Sequence, residues 1–171
     1  MTASEFEIRT ATFRVSSCSL FLSELRAVAT AHSVRIICFN ADMMAGRAHV
    51  EAAMERALRS VRAGTAISSS LEMEALLYAS GSRQCSTAEQ FGVREGGNRA
   101  YVCLCPPADA AESALSAIME FTDDDWETLS DRKTERLREA FGITAVELQA
   151  AGPGRFRDLV LERVALLEVY R

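Results

Sequence analysis

The chain lacks any unbroken apolar stretch long enough to cross a bilayer. It also lacks a charged start followed by an apolar run, so neither a spanning helix nor a secretory leader is expected. It has no CxxC pair. The five cysteines, Cys18, Cys38, Cys85, Cys103 and Cys105, are odd in number and scattered, which suits reduced thiols in a cytosol better than a disulfide framework. Histidine is scarce: only His32 and His49 are present, which leaves little from which to build a structural zinc site. A Walker lysine loop, a GxGxxG turn after a strand and an HExxH helix are all missing, so the usual sequence carriers of catalysis are absent and binding is favoured. Positive charge is not in excess. At a net -5 the molecule as a whole repels nucleic acid, and any attraction must come from a local patch. No repeat, low-complexity segment or long linker divides the 171 residues, a length that suits one globular domain with a substantial core. A soluble, cytoplasmic protein is expected, with no cofactor, no metal and no membrane partner.

Three strands can be read. Phe6 to Val15 alternates apolar and polar residues, but Phe6 and Ile8 fall on even positions while Phe13 and Val15 fall on odd ones. A bulge near Ala11 would bring all four to one face. Val34–Phe39 is rich in β-branched residues and closes on Asn40-Ala-Asp42. Tyr101–Cys105 follows the turn Arg94–Asn98 and stops at Pro106-Pro107, with Cys103 and Cys105 on one face as packing residues.

Helical spacing is clearer. Leu20, Leu22, Leu25, Val28 and Ala29 trace a helix ending near His32, and Val50, Ala53, Met54, Ala57, Leu58 and Val61 trace one face of a longer helix over Arg47–Val61. Asp109–Met119 and Asp131–Phe141 are further helices, the second stopped by Gly142. Thr144 and Glu147 have capping-box spacing and open a short helix that breaks at Gly152-Pro-Gly154. In Thr122-Asp-Asp-Asp-Trp126 three adjacent carboxylates cannot converge on a cation without a special turn, so an acidic helix start with Trp126 packed beneath it is expected. The class is α/β in the α+β sense, a single domain with a small central mixed, mainly antiparallel sheet flanked by helices.

The candidate site lies in LEMEALLYASGSRQ, Leu71–Gln84. Leu71, Ala75 and Tyr78 recur at helical spacing and Gly81 stands where a helix must stop. Ser69 precedes Glu72, and Ser86 precedes Glu89, by the three residues of a capping box, so Arg83 and Gln84 are expected in a junction beside the free N–H groups of a second helix. Such groups together with an arginine suit a phosphate or another polar edge of a nucleic acid. Arg56, Arg59 and Arg62 could add a basic strip, with Glu51 and Glu55 as counter-charges, and His49 in the first turn of its helix could donate to a phosphate or ribose. Cys85 beside Arg83 could be an activated thiol partnered by His49 or His32, although no spacing selects that pairing. The closing helix, Phe156–Tyr170, is apolar over most of its circumference, with Phe156, Val160, Val164 and Leu167 on one stripe and Leu159, Leu166 and Tyr170 on a second. It is either a helix wrapped by the fold or a partner surface.

Glu74-Ala-Leu-Leu-Tyr-Ala-Ser-Gly-Ser-Arg-Gln84, the following Phe91-Gly92-Val93, the GRAHV run Gly46–Val50 and the closing Leu159–Val169 together resemble the small non-catalytic subunits of the KEOPS complex. The resemblance implies a non-catalytic α/β domain that binds the complex's kinase-like ATPase subunit. It further implies capture of the 3′ CCA end of transfer RNA in support of threonylcarbamoyl-adenosine modification. Carried over by residue, it assigns Tyr78, Ser80, Gly81, Arg83 and Gln84 to the CCA end, with Tyr78 either supporting the turn from the core or stacking on a base. Arg47 and His49 would line the same surface, with Arg56 and Arg59 as weaker additions. Leu159, Val160, Val164, Ala165, Leu166 and Leu167 would carry the kinase contact. The alternatives are a protein-only adaptor or regulator of a kinase without RNA binding, and a cysteine-dependent enzyme.

Overall fold

Strand β1, Glu7–Val15, pairs antiparallel with β3, Gly96–Cys105, in one continuous register from Glu7 opposite Leu104 to Val15 opposite Gly96. The expected bulge at Ala11 is therefore absent. Ala11, Phe13 and Val15 join the core on one face, while Ile8 and Thr10, on the other, are also buried. Along β1 the buried residues pass from the face of Ile8 and Thr10 to the face of Ala11, Phe13 and Val15, which is why its alternation changes phase without a bulge. β2, Arg35–Asn40, and a three-residue β4, Glu120–Thr122, complete a four-stranded sheet in the order β2-β3-β1-β4. Every pairing is antiparallel, so the sheet is antiparallel throughout rather than mixed.

The structure, a computed structural model, describes residues 4–169; Tyr170 lies outside the described residues. The chain divides into two compact units, one running to Asn40 and resuming over Gly92–Asp124, the other comprising Ala41–Phe91 and the chain from Asp125 onward. The first holds the sheet with helices α1, Cys18–His32, and α5, Asp109–Leu115. α1 contributes Phe21 and Leu25, and α5 contributes Ala111 and Leu115, to a core with Val34, Ile36, Cys38, Val102 and Leu104. Phe13 and Phe21 stack there at 4.7 Å. Leu20 and Leu22, expected on the buried stripe, are exposed, because Phe21 and Leu25 set the inward direction of α1.

The second unit is helical: α2, Arg47–Ala63; α3, Leu71–Ser80; α4, Cys85–Ala88; α6, Asp131–Phe141; α7, Ala145–Ala151; and α8, Phe156–Val169. With α1 and α5 this makes eight α-helices among the described residues, and the class is α+β. Ser130 and Thr144 cap α6 and α7 by accepting from the N–H groups of Lys133 and Glu147. The acidic run does not open a helix: Asp123–Ser130 is irregular and Trp126 has a positive φ of 48°. α8 packs against α2, α3, α6 and α7. Among the described residues no helix is long and apolar enough to cross a membrane.

Candidate functional site

Ser70, one residue later than expected, caps α3 by accepting from the Met73 N–H at 3.2 Å. The other end stops at Gly81, whose φ of 64° is a left-handed conformation that glycine adopts without steric cost. The N–H of Gly81 donates to the Tyr78 carbonyl at 3.1 Å and that of Ser82 to the Leu77 carbonyl at 3.3 Å, the paired bonds that close a helix with a Schellman turn. Ser80 is buried; its Oγ donates to the Leu77 carbonyl at 2.9 Å and accepts from the Ser82 N–H at 3.2 Å. Ser82 Oγ then accepts from the Gln84 N–H at 3.1 Å. These bonds fix the backbone through Gln84, while Arg83 and Gln84 themselves are exposed. Among the described residues no carboxylate pairs with Arg83.

The second helix is shorter than its capping-box signal implied. α4 is one turn of four residues, Ser86 lies inside it, and Glu89 begins a 3-10 turn that ends at the buried Phe91. One turn carries too little aligned dipole to hold an anion, so the polar character of the junction is that of Arg83 and Gln84.

Tyr78 is fully buried, with its hydroxyl 3.1 Å from Ser60 Oγ, so it supports the turn from the core and offers no face to a base. His49 is likewise sealed, and the expected imidazole donor to a phosphate is not on the surface. Its Nδ1 accepts from the Ala45 N–H at 2.9 Å, and its Nε2 donates to the Ala79 carbonyl at 2.8 Å. The ring is neutral in the Nε2–H tautomer, and burial pulls its pKa down from 6.5 to about 4. Phe141 of α6 lies against it at 5.8 Å. His49 thus ties the start of α2 to the last turn of α3, directly below Ser80 and Gly81. With both ring nitrogens engaged it is not available to Cys85, which is exposed.

The start of α2 has its own brace. Gly46, at φ 92°, leaves room for the Glu127 carboxylate, which accepts from the Arg47 N–H at 2.7 Å and so places a negative charge on the helix N-terminus. Arg157 of α8 donates from Nε to the Ala45 carbonyl at 2.6 Å and from Nη2 to the Glu127 carbonyl at 2.7 Å. Neither Glu127 nor Arg157 stood out in the sequence, where charged residues in a loop and on a helix have no periodic signal. Glu74 did carry one, at the spacing of the buried stripe: fully buried, its two oxygens accept from the N–H groups of Ile67 and Ser68 at 3.1 and 2.8 Å.

Two arginines of the α2 strip share one carboxylate. Glu168 of α8 pairs with Arg56 and, at 3.2 Å, with Arg59, in place of the expected Glu51 and Glu55; Glu51 instead pairs with Arg47 at 3.3 Å. Arg47 and Arg59 remain exposed, and Arg56 is half-buried.

On α8 the sequence stripes separate into two roles. Phe156, Val160, Val164 and Leu167 are buried in the chain's own core, so Val160, Val164 and Leu167 do not form a free contact surface. Leu159, Leu161, Ala165 and Leu166 are half-buried and keep apolar area in reach of solvent.

Fold and site together define a class: an α+β protein whose helical unit holds an exposed polar turn in fixed geometry and carries a partly uncovered apolar helix, the build of a binding module. A family comparison narrows it. Residues 15–168 match the family model of the Kinase binding protein CGI-121, and the chain belongs to that family, whose members are non-catalytic kinase-binding subunits. No curated protein matches the chain.

Proposed function

We propose that this chain is the non-catalytic subunit of a KEOPS complex, binding the kinase-like ATPase subunit and the 3′ CCA end of transfer RNA to support threonylcarbamoyl-adenosine modification. The kinase half follows from family membership. The RNA half rests chiefly on one observation: Arg83 and Gln84 are exposed immediately after a turn whose backbone is fixed by Ser80, Gly81 and Ser82. Arg83 would grip a phosphate with its planar fork and Gln84 would hydrogen-bond a base edge. Holding both on a stapled turn lowers the ordering cost of capturing a flexible single-stranded end. Arg47 and Arg59 lie exposed on α2 as weaker electrostatic contributors.

The test is a titration of wild type and Arg83→Ala with transfer RNA that has or lacks its terminal nucleotides, at matched salt. Arg83→Ala should weaken binding to the intact RNA and leave the truncated RNA unaffected; equal affinity of variant and wild type for intact RNA rejects the site. For the kinase contact, Leu166→Asp should abolish co-elution with the kinase-like subunit while the monomer stays folded. Leu166 is chosen over Val164 because Val164 is fully buried, where a charge would break the core rather than report on the contact.

A further inference from the structure

In the unit that holds the sheet, a shallow, open cavity of about 410 Å³ lies among Thr12, Arg14, Arg94, Asn98, Arg99 and Glu120. Register puts most of these on one face: Thr12 lies opposite Arg99 on β3 and opposite Glu120 on β4, and Arg14 lies opposite Gly97 two residues further on. Three arginines thus meet one carboxylate in a molecule whose net charge is -5. All four charged side chains belong to exposed residues.

The loop beneath them is rigid. Asn98 is buried; its Oδ1 accepts from the Arg94 N–H at 3.1 Å, and its Nδ2 donates to the Arg94 and Gly96 carbonyls at 2.7 and 3.1 Å. Arg94 is thereby held at a fixed place on the cavity wall. The Arg14 guanidinium passes beside Gly97, 4.0 Å from where a Cβ would stand, an ordinary contact distance.

We propose that this cavity is a second RNA contact, one that takes the phosphodiester backbone and is separate from the terminus-binding turn. The chemical class follows from the donors. Guanidinium forks match phosphate oxygens two at a time and carry no base preference. Phe13, which also lines the cavity, is a buried core residue and offers no free ring for stacking, so the contact is to backbone rather than to bases. Glu120 supplies the one charged acceptor, suited to a ribose 2′-hydroxyl, and this favours RNA over DNA. The class of ligand rests on the RNA-binding reading above; the place rests on the cavity.

The experiment uses the full chain and four probes: transfer RNA lacking its CCA nucleotides, an RNA duplex, a DNA duplex of the same sequence, and inorganic phosphate, each titrated over a salt series. Wild type should bind the truncated transfer RNA and the RNA duplex more tightly than the DNA duplex. Arg14→Ala/Arg99→Ala should weaken both RNA complexes on the order of tenfold and flatten the salt slope by about 2, one for each lost phosphate contact. Glu120→Gln should narrow the RNA-to-DNA ratio. Arg83→Ala should leave binding to the truncated probe intact, so this arm reports on the cavity alone. The inference is overturned if the double variant binds truncated RNA as wild type does. It is also overturned if wild type binds only CCA-ended RNA, an outcome that leaves the terminus reading standing. Binding of inorganic phosphate, lost in the double variant while RNA binding is unchanged, would mark a small-anion site and overturn it as well.

Discussion

His49 should make the stability of this protein fall as the pH drops below 7, and by an amount the structure sets. The folded imidazole is neutral with a pKa near 4 because burial disfavours the charged form, while in the unfolded chain it titrates near 6.5. Between those values the unfolded state binds a proton that the folded state does not. The contribution is fully present above pH 6.5 and is lost as pH falls toward 4. A gap of this size corresponds to about 3 kcal/mol over the whole window, of which about 2 kcal/mol falls between pH 7 and pH 5. Protonation also has a mechanical meaning: a proton on Nδ1 destroys the acceptor for the Ala45 N–H. In His49→Gln a neutral amide can still reach the Ala79 carbonyl, and nothing there titrates. Urea unfolding of both proteins at pH 7 and pH 5 isolates the term, since every other group titrates in both. At pH 7 the variant should be less stable by ~1–3 kcal/mol for the bond it fails to remake. On moving to pH 5 it should lose about 2 kcal/mol less than wild type. Equal losses in the two proteins, with unchanged denaturant slopes, would refute a neutral, buried His49.

Three further outcomes follow from the same unit. Gly81→Ala should cost ~1–2 kcal/mol for a side chain in the left-handed region, because φ is 64° and the new Cβ meets the Arg163 carbonyl at 3.3 Å; urea midpoints measure it. Gly46→Ala should destabilise by more than ~2 kcal/mol, since its Cβ displaces the Glu127 carboxylate that caps α2 as well as straining the backbone. Arg157→Met keeps the aliphatic stem but removes two donors from the Ala45 and Glu127 carbonyls, so a loss of ~1–3 kcal/mol in thermal or urea unfolding is expected.

The helices were legible in the sequence because one-sided periodicity and caps are local signals. Asp131–Phe141 with Gly142 behind it, and Leu71–Ser80 with Gly81, have the ends that composition implies. What was not legible has physical causes. β1 buries one face at Ile8 and Thr10 and the other from Ala11 to Val15, so its parity shift imitated a bulge. Ser86 and Glu89 have capping spacing, but burial of Ala88 and Phe91 draws the chain into a 3-10 turn after one helical turn. Polarity suggests a surface place for His49, yet His49, Ala53 and Ala57 recur every four residues on a face that is wholly buried. The pattern held the answer for His49 once polarity is set aside. For Arg56 and Arg59 it did not, since their partner Glu168 lies on another helix.

Two of the stretches that carry the family resemblance, Gly46–Val50 and Glu74–Gln84, are one structural object despite their separation in the chain. An imidazole is rigid and presents an acceptor and a donor on opposite sides, so His49 can hold the Ala45 amide and the Ala79 carbonyl at once. A lysine or serine at 49 could not span both. Ser60 does the same work one helical face further on, by meeting the Tyr78 hydroxyl. Both contacts end on the last turn of α3, and Gly81 turns the chain out from that anchored point to expose Arg83 and Gln84. The histidine, tyrosine and first glycine of the two motifs therefore serve placement, and the arginine and glutamine remain as the side chains able to meet a ligand. That division explains why the two motifs belong together: removing the buried half would leave the exposed half chemically intact but unplaced.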